Sequence, residues 1–166
     1  MPRTERPDMA DYGVTDDPEG LLDWEWASGR LEASRNYWIA TASAAGRPHA
    51  MPVWGVWLPE AEEFFFSCAA GARKARNLRE NPRVVVTAED SVEVVVVEGT
   101  ATELRTTSIP DVIARYARKY ETDEAKQAEL EAFLADTTGF RVVPERAFGI
   151  IERAEEFASR ATRWVW

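Results

Sequence analysis

Short apolar runs with the composition of β-strands fill most of the chain. Five of them precede residue 102, at 37–42, 48–58, 63–68, 83–88 and 92–101. Three further strand candidates lie near the end of the chain, at 140–143, 147–152 and 161–165. Turn-forming residues separate the early runs, and helices do not alternate with single strands. The pattern therefore predicts antiparallel hairpins rather than a parallel α/β sheet.

Four segments are predicted to be helical. The first is expected to begin at Asp17 and Pro18, which suit an N-cap and a first helical residue, and to end at the polar cluster 34–36. A short basic helix at 72–80 is expected to stop before Pro82. Two more helices follow residue 108, the second from about 123 to 134. We expect a mainly β fold, a closed or half-closed barrel with added helices.

Length and composition predict one domain. A chain of 166 residues with 45% hydrophobic content can bury one sizeable core without disulfides. Residues 1–20 hold charged residues, prolines and glycines with little apolar periodicity, so we expect them to form an extended or loosely packed N-terminal arm. Residues 21–166 are then the single barrel domain.

Charge and cysteine content narrow the possible partners. The net charge of −9 argues against nucleic acid and anionic membranes as partners. One cysteine, Cys68, and one histidine, His49, leave too few ligands for a metal site. No apolar run is long enough to span a bilayer, and the N-terminus lacks the apolar stretch of a signal peptide. A cytoplasmic protein without a membrane partner is expected.

Common catalytic motifs are absent from the sequence. Ser67 and Cys68 could act as nucleophiles, but His49 is the only imidazole and there is no G-x-S-x-G turn. Neither a P-loop nor a dinucleotide-binding glycine motif occurs. No catalytic side chain is therefore assigned.

A basic loop-to-helix passage is the strongest candidate for a binding site. The loop containing Gly71 leads into a helix whose first turn carries Arg73 and Lys74. The first N–H groups of a helix lack partners and favour an anion, whereas two cations there are unfavourable unless an anion offsets them. The alternative is that Arg73, Lys74, Arg76 and Arg79 form only a solvated basic face.

Six short motifs occur in an order and spacing typical of a known family. They are Trp38-Ile39-Ala40-Thr41, Gly46-Arg47-Pro48-His49-Ala50-Met51-Pro52-Val53-Trp54, Phe65-Phe66-Ser67, Arg73-Lys74-Ala75-Arg76-Asn77-Leu78, Asn81-Pro82-Arg83-Val84 and Val97-Glu98-Gly99. From Tyr37 to about Leu104 the chain resembles the pyridoxamine 5′-phosphate oxidase-like split β-barrels, which bind FMN or the deazaflavin F420. The final Ala161-Thr162-Arg163-Trp164 also resembles members of this family.

The resemblance implies a Greek-key split barrel that forms a homodimer, with two cofactor sites at the subunit interface. The cofactor ring would lie against Met51, Pro52, Val53 and Trp54. The phosphate would be held at the loop and helix start formed by Ala72, Arg73 and Lys74. Ser67 would add a hydroxyl near the phosphate or ribityl chain. Asn77 would order the helix start or reach the cofactor. Trp164 would either cover the ring from the second subunit or belong to the core.

Two departures from the family pattern bear on the cofactor. Pyridoxamine phosphate oxidases carry a basic residue and a lysine where Met51 and Val56 stand, and their C-terminal arginine–histidine motif is missing here. The chain therefore resembles the F420-dependent subgroup more closely. The expected function is an oxidoreductase that uses F420, or alternatively FMN, to transfer hydride to a small organic substrate. A non-catalytic flavin or deazaflavin carrier, an FMN-dependent enzyme like the oxidases, and a structural dimer with an empty cleft remain as alternatives.

Overall fold

The computed structural model describes all 166 residues, which form nine strands and five α-helices. The strands are β1 (Arg3–Glu5), β2 (Tyr37–Ala42), β3 (Pro48–Val53), β4 (Gly55–Leu58), β5 (Glu63–Cys68), β6 (Arg83–Ala88), β7 (Glu93–Arg105), β8 (Thr138–Ile151) and β9 (Thr162–Val165). The helices are α1 (Trp24–Ala33), α2 (Arg73–Glu80), α3 (Pro110–Tyr120), α4 (Glu124–Ala135) and α5 (Ala154–Arg160). No helix is both long enough and apolar enough to cross a bilayer.

The strands form one antiparallel sheet that curls into an incomplete barrel. Its main order is β1-β9-β8-β7-β6-β2-β3, and β5 joins β8 while β4 joins β5. The long β8 makes this branching possible, because residues 138–142 pair with β5 and residues 146–149 pair with β9. β3 pairs only with β2, so the barrel stays open at the free edge of β3. The prediction of a mainly β split barrel with added helices is confirmed.

Two apolar clusters hold the fold together, and β5 separates them. Phe64 and Phe66 point into the main cluster of 22 buried residues inside the barrel. Phe65 points to the opposite face, into a cluster of seven buried residues that includes Tyr116 and Tyr120 of α3. Side chains alternate along a strand, so the uninterrupted apolar run in β5 reflects a strand buried on both faces.

The predicted helix start at Asp17 and Pro18 is wrong, because α1 begins at Trp24. Gly20 has a φ of +85°, and a Cβ there would lie 2.7 Å from the carbonyl oxygen of Ser159. Leu22 is buried in a non-helical segment, where its N–H donates to Thr162 Oγ1 at 2.8 Å. The apolar spacing before Trp24 thus reflects burial of single side chains and not helical periodicity.

Three other elements differ from the sequence prediction. The run 48–58 is two strands, because the chain breaks at Trp54 before entering β4. The candidates 140–143 and 147–152 form the single strand β8, which passes through Pro144 opposite an irregularity at Glu98 and Gly99. Helix α5 was not predicted, and its seven residues contain no buried side chain that would mark it.

The N-terminal arm is attached to the sheet and is not loosely packed. Residues 3–5 pair with β9 as strand β1. The Arg6 guanidinium then donates to the carbonyls of Asp17 at 2.6 Å and of Ser159 and Ala161 at 2.9 Å. These bonds join both ends of the arm to the last turn of α5 and to Ala161, which follows it.

Candidate functional site

Helix α2 is anchored on the barrel by one face, which leaves its basic face free. Ala75 and Leu78 are buried in the main core. The buried Asn77 donates from Nδ2 to Thr41 Oγ1 of β2 at 3.0 Å. The helix ends at Asn81 because Pro82 follows. The anchoring fixes the direction in which the first turn, with Arg73 and Lys74, faces solvent.

The cations around the start of α2 have no anionic partner. Arg73 and Lys74 form no ion pair or side-chain hydrogen bond, and neither does the side chain of Arg47 in the β2–β3 turn. Elsewhere most arginines are paired, as Arg79 is with Glu103 at 2.6 Å. Unpaired cations so close together, in a chain of net charge −9, favour an external anion.

A small polar cavity lies between the β2–β3 turn and α2. Its volume is about 210 Å³, and no hydrophobic residue lines it. The lining residues are Ser43, Arg47, Pro48, Arg73, Arg76 and Asn77. The first N–H groups of α2 have no partner within the helix, and their dipoles add to the positive field here. The cavity therefore suits a phosphate-like group.

His49 of β3 borders the same site. Burial and the nearby charges of Arg73 and Lys74 lower the pKa of its imidazole. This shift favours the neutral ring, which can donate one hydrogen bond and accept another without adding charge. Arg47 and His49 are both part of the family motif. The pairing of β2 with β3 brings the turn between them beside α2, and this placement shows that both residues belong to the site.

The residues expected to contact a cofactor ring lie on β3, at the open edge of the barrel. Met51 and Val53 share the strand face of His49, because each pairs with a buried residue of β2. Pro52 lies on the opposite face, across from Trp38. Met51 is 45% exposed, whereas Val53 packs partly against the core. The backbone groups along the outer edge of β3 have no strand partner.

The spacing along β3 fits a phosphorylated flavin or deazaflavin. Trp54, which directly follows the strand, is five positions after His49, beside the basic cluster. An extended chain of that length spans about 17 Å, at about 3.4 Å per residue. A ligand with a phosphate, a five-carbon ribityl chain and a three-ring system has a comparable extent. The basic cluster and the free strand edge can thus hold the two ends of one such molecule.

Ser67 lies apart from the basic cluster. Its hydroxyl is next to the phenol of Tyr116, on the face of β5 that carries Phe65. The following residue, Cys68, points to the other face, toward α2, where burial raises the pKa of its thiol and Lys74 partly opposes that shift. The alternation of β5 therefore places Cys68, and not Ser67, on the side of the basic cluster.

Trp164 belongs to the core and not to the site. Its side chain is fully buried, and its ring lies 5.3 Å from that of Trp24 in an edge-to-face arrangement. Gly149 of β8 lies beneath the indole, where a Cβ would be 2.6 Å from the ring. A tryptophan enclosed in this way cannot cover a ring bound to a second subunit. Of the two roles expected for Trp164, the core role is the one that the structure supports.

The chain is similar in sequence and fold to known proteins. Residues 26–150 match the family model described as pyridoxamine 5′-phosphate oxidase. No curated protein matches. The conserved hypothetical protein Rv2991 from Mycobacterium tuberculosis is 21% identical, with a TM-score of 0.71, over 86% of this chain and 92% of that one.

Two further solved structures share the fold. A protein described as an F420 reductase is 21% identical, with a TM-score of 0.56, over 79% of this chain and 98% of its own. HutZ, the heme storage protein from Vibrio cholerae, is 24% identical, with a TM-score of 0.56, over 74% of this chain and 87% of its own. At these identities the likeness establishes the fold alone. The family match over three quarters of the chain establishes that this protein belongs to the pyridoxamine 5′-phosphate oxidase family.

Proposed function

We propose that the protein is an oxidoreductase that binds the deazaflavin F420, with FMN as the alternative, and reduces a small organic substrate. The observation that carries this proposal is the group of unpaired cations, Arg47, Arg73 and Lys74, beside the free edge of β3. Family membership supports a flavin-type cofactor. The apolar Met51 and Val56, where the vitamin B6 oxidases have basic residues, favour the deazaflavin.

Each part of the site has a distinct task in this proposal. Arg73 and Lys74 hold the phosphate by charge-assisted hydrogen bonds, with Arg47 at its far side. The neutral imidazole of His49 supplies a further hydrogen bond. Met51 and Val53 provide an apolar surface for the ring, and the free edge of β3 offers backbone groups to its polar atoms.

When bound, the reduced cofactor supplies a hydride, and a solvent proton completes the two-electron reduction of an electron-poor C=C or C=N bond. The residues of β3 orient the ring and exclude water from one side of it. No carboxylate or other acid–base side chain is needed in this scheme. The proposal includes a cytoplasmic location, as the sequence predicts.

The proposal also includes a homodimer. A row of side chains on the outer face of the sheet crosses four strands, from Trp38 through Thr87 and Val96 to Phe148. Trp38 is 51% exposed, and Pro52 lies opposite it on β3. A second copy would remove this apolar row from water and would border the ring segment. Light scattering should give the mass of a dimer for the protein and of a monomer for Trp38→Glu, and a monomeric parent protein would contradict this part.

Titration with each cofactor tests the central proposal. F420 and FMN are added separately to the purified protein, and binding is followed by the fluorescence of the cofactor. We expect a dissociation constant well below 1 mM, tighter for F420. Binding of neither cofactor below about 1 mM, equivalent to about −4 kcal/mol, would refute the proposal.

A double variant tests the phosphate site. Arg73→Ala with Lys74→Ala should weaken binding at least 100-fold, because two contacts of about 1.5–3 kcal/mol each are lost. The control Arg105→Ala with Lys126→Ala removes the same charge from residues that form no ion pair, and should change affinity less than threefold. Unchanged affinity in a folded Arg73/Lys74 double variant would mean that the cofactor phosphate binds at another site.

A non-catalytic carrier is the second candidate. It is favoured by the fold shared with HutZ, which is described as a heme storage protein. Turnover separates the two functions: a bound reduced cofactor that no acceptor in a panel of electron-poor alkenes, imines and quinones reoxidises would favour storage or transport.

A further inference from the structure

The segment that follows β3 carries an exposed aromatic surface. The indole of Trp54 stacks on the phenol ring of Tyr120, with centroids 4.4 Å apart and planes 7° from parallel. Tyr120 covers one face of the indole, yet Trp54 remains 40% exposed. No other aromatic ring stacks on it. The outer face of the indole is therefore open to a ligand.

Helix α3 holds this surface in place. Tyr120 Oη accepts the Gly55 N–H at 2.8 Å and donates to the Arg35 carbonyl at 2.6 Å. Lys119 Nζ donates to the Gly55 carbonyl at 3.1 Å. Both backbone groups of the residue after Trp54 are thus bound by α3. A Cβ at Gly55 would overlap the ring of Phe64, so the backbone is also enclosed from the barrel side.

Arg35 adds a positive charge beside the stack. Its guanidinium carbon lies 5.9 Å from the Trp54 ring centroid and 5.4 Å from that of Tyr120. Because the two distances are nearly equal, the guanidinium lies beside the stacked pair and does not cover the outer face of Trp54. The nearby Glu89 carboxylate accepts hydrogen bonds from the backbone N–H of Arg35 and from the side-chain amide of Asn36. The guanidinium of Arg35 itself forms no ion pair.

We propose that the outer face of Trp54, together with Arg35, binds a flat, conjugated and negatively charged substrate. The conjugated part would stack on the indole, and a carboxylate or similar group would pair with the guanidinium. The inference rests on the proposed function, because it assigns the substrate class of that same site. The surface lies about 17 Å along β3 from His49, so it is separate from the proposed phosphate site at Arg73.

The charge of Arg35 is the reason for choosing an anionic ligand. A neutral ring would gain only the stacking contact, and a cation would be repelled by the guanidinium. An anionic conjugated ligand gains both the stacking contact and a charge-assisted hydrogen bond. The rigid attachment of Trp54 through Gly55 lowers the cost of ordering the surface when the ligand binds.

A matched pair of ligands tests this inference. The probes are 2-naphthoate, a flat carboxylate, and 2-naphthamide, its uncharged counterpart, measured by calorimetry with and without F420 or FMN. We expect the protein to bind the naphthoate at least tenfold more tightly than the amide. Arg35→Gln should abolish that preference without weakening the amide, and Trp54→Leu should weaken both probes. Arg118→Gln is the control: it alters an exposed and unpaired arginine on α3 and should change the binding of neither probe.

The outcomes separate this inference from the proposed function. Arg35→Gln should leave the cofactor dissociation constant within twofold, and the Arg73/Lys74 double variant should lose cofactor but keep the preference for naphthoate. Equal binding of the two probes, or a preference that survives Arg35→Gln, would overturn the inference. So would naphthoate binding that disappears only in the Arg73/Lys74 variant, because the probe would then occupy the phosphate site. Circular dichroism verifies that Trp54→Leu folds, and Trp54→Phe, which keeps a flat ring, should retain part of the affinity.

Discussion

Asn77 and Thr41 form a buried hydrogen bond between α2 and β2, from Nδ2 to Oγ1 at 3.0 Å. Thr41 Oγ1 in turn donates to the carbonyl of His49 on β3 at 3.4 Å. A helix and two strands are thus connected through two small polar side chains. The connection sets the direction of the first turn of α2, and hence of Arg73, relative to the free edge of β3.

Thr41→Val should destabilise the protein by about 1–3 kcal/mol, because the substitution leaves the buried Asn77 amide without its partner at nearly unchanged side-chain volume. Urea denaturation measures the free energy of unfolding. Thr102→Val, at an exposed position of β7, is the matched control and should change it by less than about 0.5 kcal/mol. Equal effects at the two positions would show that the Asn77–Thr41 bond contributes nothing to stability.

Gly149→Ala tests the placement of Trp164 in the core. The new Cβ would lie 2.6 Å from the Trp164 ring and 3.1 Å from the Leu22 side chain, so the core must shift. We expect a loss of about 1–3 kcal/mol in the free energy of unfolding.

Gly29→Ala is the control for that substitution. Apart from the adjacent residues and the backbone of α1 itself, no heavy atom lies within 4 Å of a Cβ at Gly29, which is exposed within α1. The same chemical change should therefore stabilise the protein by about 0.5–1 kcal/mol, through helix propensity. If Gly149→Ala were as well tolerated as Gly29→Ala, the indole of Trp164 would have to lie elsewhere. Contact of Trp164 with a cofactor would then again be the alternative to its placement in the core.

Arg6→Ala should loosen the N-terminal arm. The guanidinium binds the carbonyls of Asp17, Ser159 and Ala161, and its loss leaves these acceptors to water. We expect a destabilisation of about 1–3 kcal/mol and faster cleavage by proteases within the first twenty residues. Arg3→Ala, in the same arm, removes only an exposed pair with Glu5 and should have little effect. Equal protease resistance of the Arg6 variant and the parent would contradict this role.

The strands could be predicted from the sequence because their signals are local. Aromatic and β-branched residues mark β2, β5, β6 and β7. The break at Trp54 has no such signal, because the bonds from Tyr120 and Lys119 that hold Gly55 come from a helix 65 and 64 residues away. Leu22 likewise has helical spacing but is placed by packing and by Thr162.

The candidate site was predictable only in part, for a related reason. Arg73 and Lys74 follow a loop and open a helix, and that sequence context alone marks them. Arg47 joins them because the β2–β3 hairpin folds back beside α2, a relationship that depends on strand register. The sequence does not show which way a side chain at a strand end points, so the orientation of Ser67 away from the basic cluster could not be predicted. Nor does it show how deeply a terminal strand is buried, so both roles of Trp164 stayed open until its burial was known.

Lys119 should titrate at an unusually low pH. Burial lowers the pKa of its ammonium group from 10.5 to about 8, against the opposing effect of Glu89 and Glu32. Its Nζ donates to Tyr37 Oη at 2.6 Å and to the Gly55 carbonyl. The chain has only three lysines, so the ε-carbon signals of a lysine-labelled sample can be followed individually, and Lys119→Met identifies the one that moves near pH 8. A midpoint in the usual lysine range near 10.5 would contradict the burial.

The sign of the linked stability change follows from proton binding. Between about pH 8 and 10.5 the unfolded chain keeps a proton on Lys119 that the folded protein has released. The contribution of Lys119 to the free energy of unfolding therefore increases as pH rises through that window. Relative to Lys119→Met, the protein should gain about 1–2 kcal/mol from pH 7.5 to 10.5, a value reduced because the side chain is partly exposed. Urea denaturation at both pH values measures the difference. A constant difference, or one that falls with pH, would mean that Lys119 keeps its proton in the fold and that its bond to the Gly55 carbonyl is made by a fully charged amine throughout.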